Sequence, residues 1–408
     1  MVGEEPPLSS SAASPASGFN QSVGSFGERL ADRIRAFARP WELASFVWVP
    51  AIVLGFSFWY EFRSPAPLQD YGIFRAAASA VLHGRSPFVA PTEHALAGFD
   101  KFVYPPGTAL FFSPLTVLPL EGARLFMLVA CIVCVFVALR LLDVRDWRCY
   151  GVAAMSAPVV NSLALGALTS FLLVAAAATW RYRDRPAVAG PAAALTAALK
   201  LFLWPVGIWL LVTRRLRATV IFALTATLVL VAGWAAIGFA GIGSYPRMLQ
   251  VLTKLEASTS YSPVALLRLS GTAATALSVA LAAAVVLAVG LASRGADGDR
   301  RAFAVAIVGS LVATPVLWMH YFVLLLVPVA LYRPRLSAVW FVPLILWLTP
   351  TTHSHGSTWR IALALGVLVA VTVGTIGGRP RRWPIAPRAA SGRGRARTVR
   401  VQSATGNK

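Results

Sequence analysis

Arginine clusters recur along this chain after almost every second apolar run, and this alternation restricts the possible folds more than any other feature. The clusters lie within residues 140–148, 181–185, 214–217, 294–301 and 333–335. Lysine and arginine near the ends of apolar spans mark the cytoplasmic side of a membrane. The chain is therefore expected to cross a bilayer repeatedly, with the arginine clusters inside and the intervening span ends outside.

Composition supports a membrane location. Of the 408 residues, 57% are hydrophobic and only 13% are charged, and the mean hydropathy is +0.68. Such values exclude an ordinary soluble globule and favour an all-α polytopic protein of the cell membrane. The formal charge of +21 resembles that of a nucleic-acid-binding protein. No basic face is interleaved with aromatic residues as stacking on single strands requires, so no nucleic-acid partner is expected.

The apolar runs predict about twelve transmembrane helices with both termini in the cytoplasm. The predicted spans are residues 43–60, 121–141, 149–163, 165–180, 187–199, 201–213, 218–239, 272–293, 301–318, 320–332, 336–350 and 359–377. Residues 43–378 would form one transmembrane domain, with 61–120 as an external juxtamembrane segment. Residues 1–42 are predicted to be a disordered cytoplasmic segment. Residues 379–408 carry eight arginines and are predicted to be a cytoplasmic tail held on anionic membrane lipid.

Several predicted hairpins are too short for two full crossings. Only 28 residues separate Arg185 from Arg214, so each arm has about 14 residues and rises roughly 21 Å, whereas the hydrocarbon core is about 30 Å thick. Irregular backbone at membrane depth is tolerated where protein or a water-filled cavity surrounds it. The hairpin tips carry Thr169, Lys200 and His320, which predicts a polar cavity that opens to the outside.

The external segment is predicted to contain two helices. Residues 70–82 place Ile73, Phe74, Ala77, Ala80 and Val81 on one face, which is typical of an amphipathic helix at the interface. Residues 105–118 are almost wholly apolar but too short to cross, and predict a second helix in the outer leaflet.

Each candidate site residue also has an ordinary structural interpretation. Asp70 is either a catalytic carboxylate or the N-cap of the external helix. Lys200 is either a functional cation within an apolar run or a lysine that snorkels to the interface. His320 is either a functional or a structural histidine, and Arg75 and Arg268 are external cations that could bind an anionic headgroup.

Neither a metal site nor a cofactor is expected. His353 and His355 form at most a weak pair without a nearby cysteine or carboxylate, and are interpreted as loop residues. The spacing of Cys131 and Cys134 allows redox or metal chemistry, but small apolar packing residues are the favoured interpretation.

One carboxylate and several cations around an outer cavity suit the transfer of a group from a lipid phosphate to a hydroxyl. The carboxylate would accept the hydroxyl proton, and the cations would stabilise the departing phosphate. An enzyme that uses a nucleotide sugar would need a cytoplasmic nucleotide-binding domain, for which the cytoplasmic loops are too short. A long polyprenyl chain cannot leave the bilayer, since each buried CH₂ contributes about 0.8 kcal/mol.

An ordered series of short motifs resembles glycosyltransferase family 87. The motifs are DYGIFRAA at 70–77, LHGRSPF at 82–88, FVYPPG at 102–107, FSPL at 112–115, Leu118-Pro119, Lys200 with Pro205, and ATPVLWMHY at 313–321. The resemblance implies a C-type glycosyltransferase fold and a polyprenyl-phosphate sugar donor. It also implies that Asp70 is the general base of an inverting transfer. Tyr104, Pro105 and Pro106 would shape the cavity, and Lys200 and His320 would face the donor phosphate or sugar.

Two stretches depart from the family pattern. Where the family often has Gln or Asn after a glycine, Ala167, Leu168 and Thr169 follow Gly166. Where Asn-Gln-Ser is usual before a later span, this chain has Ser-Tyr-Ser-Pro at 260–263. Donor and acceptor contacts are therefore expected to differ from those of better-known members.

The resulting functional hypothesis is a membrane hexosyltransferase that moves mannose from a polyprenyl phosphate to an extracytoplasmic glycolipid or glycan. Within the same class, an arabinofuranosyltransferase is the alternative. From another class comes a lipid or solute transporter, which would place its binding groups on broken helices between repeats. The external segment 61–120 and the lack of a visible repeat favour the enzyme.

Overall fold

The helices of the chain are joined by short turns. A computed structural model describes residues 40–64, 67–98, 101–256, 259–349 and 357–377, and no β-strand occurs in these ranges. In chain order the helices are α1 (Pro40–Glu61), α2 (Gln69–Leu82), α3 (Glu93–Leu96), α4 (Pro106–Phe112), α5 (Leu120–Leu141), α6 (Trp147–Ala154), α7 (Ala157–Ala164), α8 (Thr169–Arg181), α9 (Pro186–Ala198), α10 (Pro205–Val212), α11 (Leu216–Ala236), α12 (Tyr245–Glu256), α13 (Pro263–Leu266), α14 (Gly271–Ala292), α15 (Gly298–Ala313), α16 (Met319–Tyr332), α17 (Ala338–Leu348) and α18 (Thr358–Ile376).

Some sequence predictions concern residues outside the described ranges. These are the disordered segment 1–42, of which all but the last three residues lie outside, the basic tail 379–408, and the loop residues His353 and His355. The described residues belong to one compact unit that ends at Gly377. The segment boundaries predicted at both ends of the chain stay predictions.

Five helices of the described part are long and apolar enough to cross a membrane: α1, α5, α11, α14 and α18. A sixth crossing is possible if α7 and α8 count as one span, although their axes are bent by 120°. The all-α membrane character is therefore confirmed. The other helices are shorter, as the hairpin lengths indicated, and the figure of twelve transmembrane helices stays a prediction.

Two predicted spans are interrupted at prolines. The prediction of one helix over 149–163 is wrong, because α6 ends at Ala154 and α7 begins at Ala157 with Pro158 in its first turn. The prediction of a helix over 301–318 is wrong at its end, because α15 stops at Ala313, two residues before Pro315. Proline lacks a backbone N–H and disfavours helical geometry in the residue before it, so it fits best in the first turn of a helix.

Helices occur at both stretches where the sequence predicts external helices, and their external location stays a prediction. Residues Gln69–Leu82 form α2, and Pro106–Phe112 form α4, which continues as a 3₁₀ segment, Ser113–Val117. The predicted apolar face of α2 needs correction, because Ile73 and Ala80 are only half-buried. The fully buried side includes Tyr71 and Phe74, and the ring of Phe74 stacks on Phe112 at 4.6 Å. Protein contacts therefore rotate the buried face away from the one read from hydropathy alone.

A pair of glycines sets how closely α4 approaches α11. A Cβ atom on Gly233 would lie 2.3 Å from the backbone nitrogen of Gly107, and one on Gly107 would lie 2.9 Å from the carbonyl oxygen of Val229. Real Cβ atoms essentially never come within 3.0 Å of another heavy atom. The two backbones are therefore in direct contact, which fixes the residues just before α4.

An ionic cluster ties several short helices together at one end. Asp299, at the start of α15, accepts hydrogen bonds from Arg215 at 2.7 and 2.9 Å and forms an ion pair with Arg183 at 3.3 Å. Arg183 follows α8, and Arg215 lies between α10 and α11. The opposite ends of α8, α10 and α15 lead to the hairpin tips that carry the candidate site residues.

Candidate active site

Three predicted site residues converge from distant parts of the chain. Asp70 lies in the first turn of α2, Lys200 in the turn between α9 and α10, and His320 in the first turn of α16. The Lys200 Nζ atom is 3.4 Å from Nε2 of His320. His320 is buried, with 3% of its surface exposed. The tips of two separate hairpins therefore meet at Lys200 and His320.

Asp70 does not cap its helix. The N-cap position of α2 is Leu68, which has a left-handed backbone (φ 54°), and no side chain caps the helix there. The Oδ2 atom of Asp70 is buried and has no hydrogen-bond partner. An N-cap carboxylate accepts a backbone N–H bond. The capping interpretation of Asp70 is therefore wrong, and the carboxylate is left free to accept a hydrogen bond from a ligand.

Asp70 and Lys200 interact electrostatically without forming an ion pair. Burial raises the pKa of Asp70 from 3.8 to about 6, and the positive charge of Lys200 opposes this rise. No hydrogen bond or ion pair within 4.0 Å joins the two side chains in the described structure. The carboxylate and the ammonium group are therefore close enough to interact, but a gap of more than 4.0 Å separates them.

Two tyrosine rings surround the Lys200 ammonium group. Its Nζ atom lies 4.0 Å from the centroid of the Tyr321 ring and 5.0 Å from that of Tyr104. Tyr321 is stacked on Phe202 at 4.9 Å with 21° between the ring planes. A snorkelling lysine would extend towards the interface, whereas this one points to His320 and the rings. The snorkelling interpretation is therefore wrong.

The turn that carries Lys200 has a fixed and unusual geometry. Leu201 adopts a left-handed backbone with φ 57°, and its N–H donates to the carbonyl of Ala197 at 2.8 Å. Thr108 in α4 donates a hydrogen bond from Oγ1 to the carbonyl of Leu199 at 2.6 Å. A left-handed leucine is uncommon and costs of the order of 1 kcal/mol or more. Contacts with α4 therefore help to hold Lys200 in place.

The stretch before His320 is held by a segment that departs from the expected family pattern. Leu317 N–H donates to Ser260 Oγ at 2.9 Å, and Tyr261 N–H donates to the carbonyl of Leu317 at 2.7 Å. Ser262 Oγ donates to the carbonyl of Pro315 at 2.8 Å. These hydrogen bonds satisfy the backbone of an irregular, mostly buried stretch, as a membrane environment demands.

The sharp turn between α7 and α8 supports α2 beside Asp70. The Tyr71 N–H donates to the carbonyl of Leu165 at 3.3 Å. Gly166 has φ 61°, and a Cβ atom there would lie 3.0 Å from Cβ of Tyr71. Both the backbone conformation and the close approach require glycine. Thr169, at the start of α8, is fully buried, and its Oγ1 atom has no hydrogen-bond partner.

The guanidinium group of Arg75 donates hydrogen bonds to backbone carbonyl groups. Its guanidinium donates to the carbonyls of Leu115 and Leu118 at 2.8 Å each and to that of Thr116 at 3.3 Å. These three carbonyls end the 3₁₀ segment that follows α4. Arg75 thus links α2 to α4. Its role as a phosphate ligand stays a prediction. To bind a phosphate with the same N–H groups, Arg75 would first have to break these hydrogen bonds.

Arg268 lies apart from the Asp70 cluster. Its Nη2 atom donates to Thr358 Oγ1 at 2.9 Å, which ties α13 to the start of α18. No contact joins Arg268 to Asp70, Lys200 or His320 in the described structure, and its predicted role towards the donor remains untested.

Of the other histidines, His83 is exposed and bonds through its ring to the carbonyl of Ser79, and His94 is exposed on α3.

The predicted cavity-shaping residues lie beside Lys200 and at the start of α4. Tyr104 is 7% exposed and makes an edge-to-face contact with Phe74 at 5.0 Å. Pro105 is the N-cap of α4 and Pro106 its first residue, and both are buried. The extended backbone at Pro105 (ψ 147°) turns the chain so that the ring before it reaches the Lys200 ammonium group.

Sequence reasoning missed Tyr321, Phe202 and Ser260. Tyr321 could have been found because it directly follows His320. Phe202 could have been found because it lies in the apolar run that contains Lys200. The sequence marked Ser260 only as a departure from the family pattern, because its role depends on a contact with a residue 57 positions later.

The described residues contain no group of three or more His, Cys, Asp or Glu side chains that could hold a metal ion. Cys131 and Cys149 are buried free cysteines and Cys134 is half-buried. The groups available for chemistry are therefore one carboxylate, one ammonium, one imidazole and two phenols. This set can accept a proton, stabilise an anion and orient hydroxyl groups.

Comparison with known proteins gives one match. The family model described as Glycosyltransferase family 87 matches residues 102–319, which is more than half of the 408 residues. This range includes Tyr104 and Lys200, whereas Asp70 lies before it and His320 directly follows it. Neither the curated proteins nor the solved structures contain a match to the chain.

Proposed function

The chain belongs to glycosyltransferase family 87 and is a membrane glycosyltransferase, and from this premise we propose which reaction it performs. The enzyme moves a hexose, mannose in first place, from a polyprenyl-phosphate donor to a hydroxyl of an extracytoplasmic glycolipid or glycan. Asp70 is the general base, and Lys200 receives the departing phosphate at the outer face of the cell membrane. The fold is the C-type glycosyltransferase fold.

One observation carries this proposal. A buried carboxylate oxygen without a hydrogen-bond partner faces an ammonium group that influences its pKa but does not contact it. A structural ion pair would close this gap, because two buried opposite charges are most stable in contact. An acceptor hydroxyl beside Asp70 and a donor phosphate beside Lys200 would fill the gap with groups of matching charge.

The proposed reaction is a single displacement. The acceptor oxygen forms a bond to C1 of the sugar while the bond from C1 to the phosphate oxygen breaks, so the configuration at C1 inverts. The acceptor proton passes to Asp70, and the bonding electrons leave with the polyprenyl phosphate. General-base catalysis contributes about 10²- to 10⁴-fold. A cation at the developing phosphate charge in a dry site contributes a comparable amount.

The surroundings of Lys200 support its proposed role. Tyr104, Tyr321 and His320 enclose the ammonium group, and no carboxylate pairs with it in the described structure. A cation enclosed by aromatic rings retains favourable electrostatic contacts when it leaves water. No protein carboxylate within the described residues occupies the place beside the Lys200 amine, so a ligand anion can take it.

Turnover of a short-chain polyprenyl phosphomannose by the purified enzyme tests the proposal, with release of polyprenyl phosphate as the readout. We expect Asp70→Asn and Lys200→Met each to lower kcat by about 10²-fold or more. Glu121→Gln is the control, since Glu121 is an exposed carboxylate on α5 that bonds to Arg124. Equal release by the parent and Asp70→Asn would remove Asp70 from the mechanism.

The sugar is tested in the same assay. Polyprenyl phosphoarabinofuranose is offered beside polyprenyl phosphomannose, and the arabinofuranosyltransferase alternative is correct if only the former is consumed. A transporter would move lipid across vesicles without releasing polyprenyl phosphate. Membership in a glycosyltransferase family argues against that alternative.

A further inference from the structure

An apolar groove lies among three helices outside the candidate active site. It has a volume of about 210 Å³ and is lined by parts of α14, α15 and α18. Its lining residues include Ala284, Ala288, Val305, Val308, Gly309 and Val312. Two of these helices, α14 and α18, are long and apolar enough to cross a membrane. In a membrane this groove is therefore expected to face lipid chains and not water.

The helical repeat places Arg301 below the groove on the same face of α15. Val305, Val308 and Val312 follow Arg301 at intervals of four, three and four residues, and side chains at such spacing share one helix face. Arg294 is exposed just beyond the end of α14. The arginine end of the groove is thus the end where α14 and α15 are joined.

Among the described residues, these two arginines lack an acidic partner, unlike their neighbours. Asp297 forms an ion pair with Arg300 at 2.9 Å, and Asp299 forms ion pairs with Arg183 and Arg215. In the part of the chain that the structure describes, no carboxylate lies within 4.0 Å of Arg294 or Arg301, and neither guanidinium donates a hydrogen bond. Two cations and an adjoining apolar groove match the chemistry of an anionic lipid.

We propose that this groove binds one acyl chain of an anionic phospholipid, whose headgroup is held by Arg301 and Arg294. The alanines at 284 and 288 and the glycine at 309 open the space for the chain. An anionic headgroup near each arginine is favoured by about 1 kcal/mol. The bound lipid bridges α14 and α15 at the groove, and this role does not depend on the proposed reaction.

The position of the groove distinguishes this lipid from the sugar donor. Helix α15 has 16 residues and is about 24 Å long, with Arg301 near one end and the stretch to His320 at the other. A phosphate at Arg301 would therefore lie far from Lys200. The donor phosphate belongs beside Lys200, so the lipid at Arg301 is a second one.

Lipid binding to the purified full-length protein tests this proposal without measuring turnover. The delipidated protein is titrated with phosphatidylglycerol or phosphatidylcholine, and bound lipid is counted by native mass spectrometry. Ala284→Phe fills the groove, and Arg301→Gln removes a headgroup contact. Ala283→Phe is the matched control, because Ala283 is exposed on the same helix but does not line the groove.

We expect the parent and Ala283→Phe to bind phosphatidylglycerol in preference to phosphatidylcholine. Ala284→Phe should lose the bound lipid, and Arg301→Gln should bind phosphatidylglycerol about fivefold more weakly. Equal binding of the two lipids by the parent, or equal binding by Ala284→Phe and Ala283→Phe, would overturn the proposal. Displacement by polyprenyl phosphate would assign the groove to the donor instead. Thermal unfolding and size-exclusion profiles confirm that Ala284→Phe is folded, and Arg301→Gln tests the headgroup contact without altering the groove.

Discussion

The Oγ1 atom of Thr108 donates a 2.6 Å hydrogen bond to the carbonyl of Leu199, and this bond joins the two segments that carry Tyr104 and Lys200. The position of the ammonium group beside the Tyr104 ring therefore depends on a contact between α4 and the turn before α10. Thr108→Val keeps the shape of the side chain but removes the donor. We expect a loss of about 1–3 kcal/mol in stability, since a buried carbonyl is left unpaired. Thermal unfolding measures it, and Thr116→Val, which removes a local hydroxyl bond to Ser113, is the comparison.

The reaction should depend on the ionisation of Asp70. Burial raises the pKa of this carboxyl group to about 6, and a general base must be deprotonated to act. We expect kcat/KM to rise with pH up to about 6, as the free enzyme loses the Asp70 proton. Asp70→Asn should lack this acidic limb. A parent profile that is flat between pH 5 and 7 would contradict the assignment.

The same shift predicts how Asp70 affects stability. Because the folded-state pKa is raised above 3.8, the folded protein binds the proton more tightly than the unfolded chain does. The stability of the parent therefore falls as the pH rises from about 4 to about 6 and is constant above that range. Asp70→Asn avoids this loss and should be more stable by up to about 3 kcal/mol at pH 7.5, but by much less at pH 4.5. Thermal unfolding at the two pH values measures the difference, and a lower stability of the variant at pH 7.5 would refute it.

Tyr321 should act through its ring. Its centroid is 4.0 Å from Lys200 Nζ, and a desolvated cation–π contact is worth about 0.5–2 kcal/mol. Tyr321→Leu should lower kcat/KM by about 2- to 30-fold, whereas Tyr321→Phe should keep most of the activity. In the Lys200→Met background the two Tyr321 variants should no longer differ. A double-mutant cycle measures this coupling, and an unchanged difference would show that the ring acts by packing alone.

Arg75 provides a test between a structural and a phosphate-binding role. Its three bonds to carbonyl groups need the guanidinium fork, which a lysine cannot reproduce. If positioning of α2 is its role, Arg75→Lys should lower the thermal stability nearly as much as Arg75→Gln. If Arg75 binds the donor phosphate, Arg75→Lys should retain a low KM that Arg75→Gln loses. The stability and the KM of both variants separate these outcomes.

The outer location of the site is tested by cysteine labelling of intact cells. The three native cysteines are first replaced, and single cysteines are placed at the exposed His83 and Arg85 and at the exposed Arg214. An impermeant thiol reagent should modify positions 83 and 85 from outside, and position 214 only after permeabilisation. The opposite pattern would invert the proposed topology.

Much of the site was predictable because charges within apolar sequence are costly. Lys200 and His320 stood out as ionisable groups beside apolar runs, which are functional by default at such depth, and Asp70 stood out in the external segment. Family motifs drew attention to Tyr104, Pro105 and Pro106. These signals are local, so a single sequence was enough to read them.

Other features depend on contacts between distant residues and left no local signal. The buried side of α2 is set by Phe112 and by the turn at Gly166, which hydropathy along α2 does not report. The three carbonyls bound by Arg75 lie about 40 residues further along the chain. Prolines near Ala157 and Ala313 indicated the helix breaks at these residues. The breaks were nevertheless not predicted, because each lies within a long apolar run that reads as one span. Periodicity identified the helices, whereas the tertiary contacts decided where they stop.

The contact between Gly107 and Gly233 has a consequence for how the enzyme could adapt to another sugar. Main chain meets main chain there, so no change of rotamer can make room for a larger residue, and one at either position would push the whole of α4 away from α11. The binding space beside Lys200 can instead be reshaped on the side where Phe202 and Tyr321 are held by side-chain stacking. Directed evolution towards new donors should therefore accumulate its substitutions on that side and spare the glycine pair.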